Sequence, residues 1–242
     1  MAIPWYEGPV PTVTTEHMRE VDRAMEEDFG IALIQMMENA GRALARVARE
    51  HLLDGDVRGK AITVLAGTGG NGGGALVAAR RLHGWGANVR VVTTKPAEAF
   101  EGIPAHQLAI LQQLPLSITD GQASDGPTNL ILDGLIGYSL SGAPRGVAAD
   151  LIRWANAQTS PVLALDVPSG LDATTGEAYD PSIRAATTLT LALPKPALTA
   201  ATEQVGELFL ADISVPPTLY SRPPLAMEIG PLFAGDDVIR LR

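Results

Sequence analysis

Between Gly67 and Gly74 the chain carries six glycines in eight positions, read as GTGGNGGG. The spacing Gly67-x-Gly69-x-x-Gly72 matches the dinucleotide fingerprint. There, glycines let the backbone approach a pyrophosphate, and the next helix offers its N-terminal amides to the anion. One or two glycines suffice for a tight strand-to-helix turn, and each further one costs backbone entropy. The run is therefore read as a phosphate-cradling loop with Asn71 as its one functional side chain. The full dinucleotide reading also wants an acid about 20 residues on, to hold a ribose. Here the second strand closes as VVTTKPAEAF, with Thr93, Thr94 and Lys95 at its tip. A hydride-transferring dehydrogenase is disfavoured on that account.

Three further stretches carry chemistry. In LILDGLIGYSLSGAPRG, Asp133 closes a strand and Arg145 opens a helix. The carboxylate could bind a cation or a hydroxyl, and the arginine with the loop amides could hold phosphate. Equally, Asp133 could be a cap and Arg145 a solvated helix residue. In VLALDVPSGLDATTGE, Asp166 ends an apolar strand and is either a cap or a site acid, while Ser169 supplies a hydroxyl at the bend. Asp172 reads as the capping partner of the following turn, beside Thr174 and Thr175. In LALPKPAL, Lys195 stands between two prolines that could aim it at the site, although a solvated lysine is the commoner outcome. Asn71, Asp133 and Ser169 make an all-oxygen set. Any metal they bind should be hard, and one carboxylate with neutral oxygens suits a monovalent ion better than a divalent one.

Elements must gather these turns. Residues 15–27 and 31–53 read as helices, the second with Leu33, Met37, Ala40, Leu44 and Val47 on one face. Apolar runs at 61–66, 88–93, 130–135, 162–167, 187–193 and 207–213 read as strands, with helical stretches at 75–83, 104–114 and 146–157. Continuous apolar strands separated by helices indicate a mostly parallel sheet covered on both faces. The expectation is an α/β, Rossmann-like three-layer sandwich forming one domain over 1–242. Leading helices occupy 1–54, the core 60–215, and a Pro-rich wrap 216–242. In such folds ligands sit beyond the carboxyl ends of the strands.

Composition narrows the chemistry. A formal charge of −9 argues against nucleic-acid or anionic-membrane partners. With no cysteine, thiolate zinc sites, disulfides and cysteine nucleophiles are excluded. His17, His51, His83 and His106 are scattered without metal-ligand spacing. No apolar run reaches spanning length and the start lacks a signal-peptide plan, so a cytoplasmic protein is expected.

The chain resembles the YjeF N-terminal domain family, the NAD(P)H-hydrate epimerases. The blocks that carry the likeness are MREVDRAM, MMENAGRALA, GTGGNGGGALVAARRL, LDGLIGYSLSGAPRG, ALDVPSGLDATTGE, LPKPAL and GELFLADISVPPTLY, in that order. The resemblance implies interconversion of the R and S epimers of hydrated NADH and NADPH. It also implies a homodimer, functional coupling to a separate dehydratase, and no redox cofactor. One potassium ion per subunit would be held by residues matching Asn71, Asp133 and Ser169. Substrate contacts match Gly70, Asn71, Gly72, Gly73 and Gly74, then Gly137, Tyr138, Ser139, Leu140, Ser141, Gly142 and Ala143, with Asp166 as the acid/base. The family pattern N-N-G-G-D reads GNGGG here, so Gly74 replaces an acid. The alternative is thus a catalytically impaired nucleotide-binding or scaffold protein of the same fold.

Overall fold

The computed structural model describes residues 3–124 and 126–242. Met1, Ala2 and Asp125 lie outside them, the first two at the head of the segment read above as lacking a leader. Helices α1 (Thr15–Glu27) and α2 (Leu33–Val47) lead into an alternation of strand and helix. These are β1 (Ala61–Ala66), α3 (Gly70–Gly84), β2 (Asn88–Thr93), α4 (Gly102–Gln112), β3 (Ser117–Asp120), β4 (Leu130–Gly134), α5 (Gly146–Ala157) and β5 (Val162–Leu165). Then come β6 (Thr187–Leu191), α6 (Pro196–Ala200), α7 (Thr202–Val205), β7 (Glu207–Ala211), α8 (Pro217–Tyr220) and β8 (Val238–Arg240). One eight-stranded sheet runs in the order β3-β2-β1-β4-β5-β6-β7-β8. All neighbours are parallel except β7 with β8.

Because successive strand side chains face opposite ways, the sheet feeds two cores. Ile62, Val64 and Leu132 pack with Leu44, Leu76, Leu82 and Leu111 from α2, α3 and α4. Leu65, Ile131 and Ala164 face Leu151, Ile152 and Ala155 of α5. This is the three-layer arrangement that the apolar runs imply. A third cluster joins Val21 and Met25 of α1 to Leu219, Leu225 and Leu232, so the Pro-rich wrap supplies core as well as cover. Arg46 pairs with Asp236 and Asp237, tying that wrap to α2.

Several elements differ from the sequence reading, among them the short helices α6, α7 and α8, which it did not anticipate. The segment 31–53 is α-helical only to Val47 and continues as a π-helical turn, Ala48–Leu52. The strand β3 has a mostly exposed edge sequence, SITD, with no apolar run to announce it. The strand β8 is three residues inside the wrap, recruited by pairing with β7. Finally, α3 begins at Gly70, so the glycine run from Gly70 onward is the first turn of a helix rather than an open loop. Tertiary packing overrides the poor helix propensity of glycine. A Cβ on Gly72 would stand 1.8 Å from the Gly67 carbonyl oxygen, and one on Gly73 would stand 2.7 Å from Met37 Sδ. A Cβ on Gly41 would stand 2.5 Å from the Gly74 carbonyl oxygen, so α2 and α3 also cross at glycines.

Candidate active site

Beyond the carboxyl ends of β1, β4 and β5 opens a cleft of about 720 Å³. The sheet order reverses its winding between β1 and β4, which is where such folds receive ligands. The turn Gly67–Asn71, the segment Leu135–Ser139, Asp166 and Lys195 all line it.

Asp166 follows β5 directly and holds a left-handed backbone, φ 66°, a conformation that non-glycine residues adopt at strained or functional positions. Its side chain is almost wholly buried. Oδ1 takes every described hydrogen bond to this carboxylate: the Lys195 ammonium, the Leu191 amide at 3.3 Å and the Thr190 hydroxyl at 3.4 Å. Oδ2 has no partner among the described residues and remains available to a ligand. Lys195 is fully buried, and its Nζ also donates to the Leu191 carbonyl at 3.0 Å. The expectation of a solvated lysine is corrected here. The strand β6 ends at Leu191, Ala192 turns with φ 63°, and the Pro194-Lys195-Pro196 segment leads the side chain back under Asp166. The signal was the lysine's fixed position between prolines just past a buried strand.

Across the cleft, Tyr138 donates its hydroxyl to Asp22 of α1. Burial pushes the Asp22 carboxyl above its ordinary range, and burial together with the Asp22 charge pushes the Tyr138 phenol up. The ring of Tyr138 lies 6.0 Å from Lys195 Nζ. No signal in the sequence marked Asp22, which is one acid on an amphipathic helix.

Asp133 and Ser169 sit beneath the cleft floor, both fully buried. Asp133 accepts from the Ser169 amide at 2.8 Å, the Ser169 hydroxyl at 2.6 Å and the Leu135 amide at 3.2 Å. Burial raises its carboxyl to about 6, and no cationic side chain among the described residues pairs with it. The Ile136 amide donates to Ser169 Oγ at 2.9 Å. Asn71 donates Nδ2 to the Leu165 carbonyl at 3.1 Å, and a Cβ on Gly137 would come within 3.3 Å of the Asn71 side chain. The three residues thus surround one turn, 135–137. An uncompensated buried carboxylate among neutral oxygens is a donor set that fits a hard monovalent cation.

Other expected contacts fall elsewhere. Gly72, Gly73 and Gly74 are buried inside α3 and do not line the cleft, because α2 and the β1 turn close over them. A Cβ on Gly74 would stand 2.9 Å from Leu165 Cδ2, so a side chain there would need the end of Leu165 to move aside. Gly70, Asn71, Gly137, Tyr138 and Ser139 line the cleft, whereas Leu140, Ser141, Gly142 and Ala143 lie outside its wall. Of these last four, all but the half-buried Leu140 are exposed. Asp172 takes the Thr174 and Thr175 amides at 2.9 and 2.8 Å, the turn cap its position suggested.

A mostly parallel sheet with a crevice at its switch point, entered by a glycine-packed helix, defines the Rossmann-like α/β class. Residues 33–197 match the family described as the YjeF-related protein N-terminus. The chain belongs to that family. It is 42% identical over 227 residues to a protein of Dehalogenimonas lykanthroporepellens named NAD(P)H-hydrate epimerase, covering 93% of this chain and 91% of that one. It is 34% identical to a Salinibacter ruber protein named bifunctional NAD(P)H-hydrate repair enzyme, covering 88% of this chain but 42% of the relative. A crystal structure of a yeast protein superposes with a TM-score of 0.82 at 26% identity, covering 96% of this chain and all of that one.

Proposed function

We propose that this chain is an NAD(P)H-hydrate epimerase, interconverting the R and S epimers of hydrated NADH and NADPH. The observation that carries the reading is the buried Asp166–Lys195 ion pair, which leaves one carboxylate oxygen open to the cleft. Epimerisation at a carbon bearing nitrogen and hydroxyl needs only that the hydroxyl depart and return on the other face. Departure breaks the C–O bond, with its electron pair leaving on oxygen, and consumes one proton as water forms. Return of water releases one proton. A single group that takes up and gives a proton suffices. Asp166, a carboxylate at rest beside Lys195, picks up a proton at Oδ2 from cleft water. It gives that proton to the departing hydroxyl and retakes one from the returning water. Lys195 steadies the carboxylate while its proton is away. Asn71 and the backbone of Gly69 and Gly70 bind the substrate at the N-terminus of α3, and Tyr138 with Ser139 closes the opposite wall.

One potassium ion per subunit would be held by Asn71, Asp133 and Ser169. Its chemistry would be to compensate the buried carboxylate and so fix the 135–139 wall. Potassium chloride should then raise the melting temperature more than sodium chloride at equal ionic strength, by about 2–4 °C. Asn71→Ala should abolish the difference in differential scanning fluorimetry; a difference that persists puts the ion elsewhere. The same reading has the chain acting in the cytoplasm as a homodimer, beside a separate dehydratase that consumes one epimer.

The test supplies a mixture of hydrated NADH epimers to an epimer-specific dehydratase. With this protein present, the second epimer should be recovered faster than it equilibrates alone. Recovery at the spontaneous rate would refute the reading.

A further inference from the structure

The cleft has a second, cationic end. Lys95 and Arg145 both line it, both are exposed, and among the described residues neither has an ion-pair partner. The acids that share the lining, Asp22 and Asp166, are engaged at the other end by Tyr138 and Lys195. Glu98 and Glu101, the acids next in sequence to Lys95, do not line the cleft. Asp120 of β3, in register with Thr93, lines a neighbouring pocket instead. In a chain of formal charge −9, the cleft lining itself thus keeps, among the described residues, two cations without a paired acid.

The position of Lys95 is fixed by the fold. It lies just past β2, and the buried Thr93 hydroxyl donates to its carbonyl at 2.8 Å. Pro96 follows it and restricts its backbone to extended conformations. In dinucleotide-binding sheets the tip of this strand carries an acid for a ribose 2′-hydroxyl, or a cation for a 2′-phosphate. The strand β2 lies three places from β5 in the sheet, about 15 Å at the usual spacing between neighbours. A dinucleotide whose reactive ring rested on Asp166 would have to reach back across β4 and β1 to bring its adenosine ribose there.

We propose that Lys95 is a specificity residue that pairs with the 2′-phosphate of the adenosine ribose, so that the chain prefers hydrated NADPH to hydrated NADH. Arg145 serves the phosphates that both substrates share. The proposal rests on the epimerase reading for its substrate, but its test does not need turnover.

Titration calorimetry compares adenosine 2′,5′-bisphosphate with 5′-AMP on the intact chain. The bisphosphate should bind about tenfold or more tightly at low salt, as expected of a charge-assisted phosphate contact, with the ratio shrinking as salt rises. Lys95→Ala should bring that ratio close to one, and Lys95→Glu should invert it. Arg145→Ala should weaken both ligands and preserve the ratio. A wild-type ratio near one, or a ratio that Lys95→Ala leaves unchanged, overturns the assignment. An active epimerase with equal kcat/KM for both hydrates and no binding ratio removes the role of Lys95 while keeping the function. A chain that shows the ratio without epimerising removes the function while keeping Lys95.

Discussion

Asp166→Asn is expected to slow epimer interconversion by about 10²–10⁴-fold, the usual range for loss of a positioned acid or base. The substitution preserves shape and leaves an acceptor oxygen for Lys195, yet the amide can neither give nor retake a proton at the cleft. Its partners are already in place: Leu191 and Thr190 fix Oδ1, so the other oxygen points the chemistry toward the substrate. Initial rates measured by chromatographic separation of the epimers, with circular dichroism to confirm the fold, give the result. A loss under about threefold would fall far below the range for an essential acid or base and move the proton transfer elsewhere. The Tyr138–Asp22 pair is the next group in reach of the same cleft.

Lys195→Met is expected to destabilise the protein strongly. It removes the cation from a fully buried pair and leaves the Asp166 carboxylate, itself 4% exposed, without a counter-charge. Breaking such a pair from one side costs about 3–5 kcal/mol, whereas replacing both partners by neutral groups costs far less. The double variant Asp166→Asn, Lys195→Met should therefore be more stable than Lys195→Met alone, by about 2 kcal/mol in a double-mutant cycle. Urea denaturation of the wild type, the two singles and the double measures this. Additive losses would show that the two groups are not coupled and that Lys195 serves packing alone.

Much of this arrangement is legible in the residues. Six of the eight strands follow from continuous apolar runs, because a sheet buried on both faces needs no alternation to announce it. Strand ends locate the site for the same reason: Asp133 and Asp166 are acids at the close of apolar runs, where only a loop or a ligand can receive them. The edges escape this logic. The strand β3 has nothing apolar to show, and β8 exists only because β7 offers an unpaired side.

The glycine run divides the two kinds of information most clearly. Its composition marks a close approach, but two different approaches are superimposed there. Gly69 and Gly70 face the cleft, whereas Gly72 and Gly73 admit the neighbouring turn and Met37. The fold of the β1–α3 turn and the packing of α2 against α3 separate them. Gly74, which from sequence alone raised an impaired protein, faces Leu165 rather than open cleft. Lys195 needed the path of β6 to reveal that its ammonium turns inward to Asp166. A sequence can place a lysine between prolines without stating which way the turn sends it.

The central claim is that a nucleotide held across this sheet edge has its hydrated ring exchanged between two faces at Asp166. The direct measurement starts from one purified epimer of hydrated NADPH and follows appearance of the other by chromatography, with and without the protein. The protein should carry the sample to the same equilibrium mixture well ahead of the spontaneous course, and the Asp166→Asn variant should follow the uncatalysed curve closely. Superimposable time courses for wild-type protein and buffer would contradict the account.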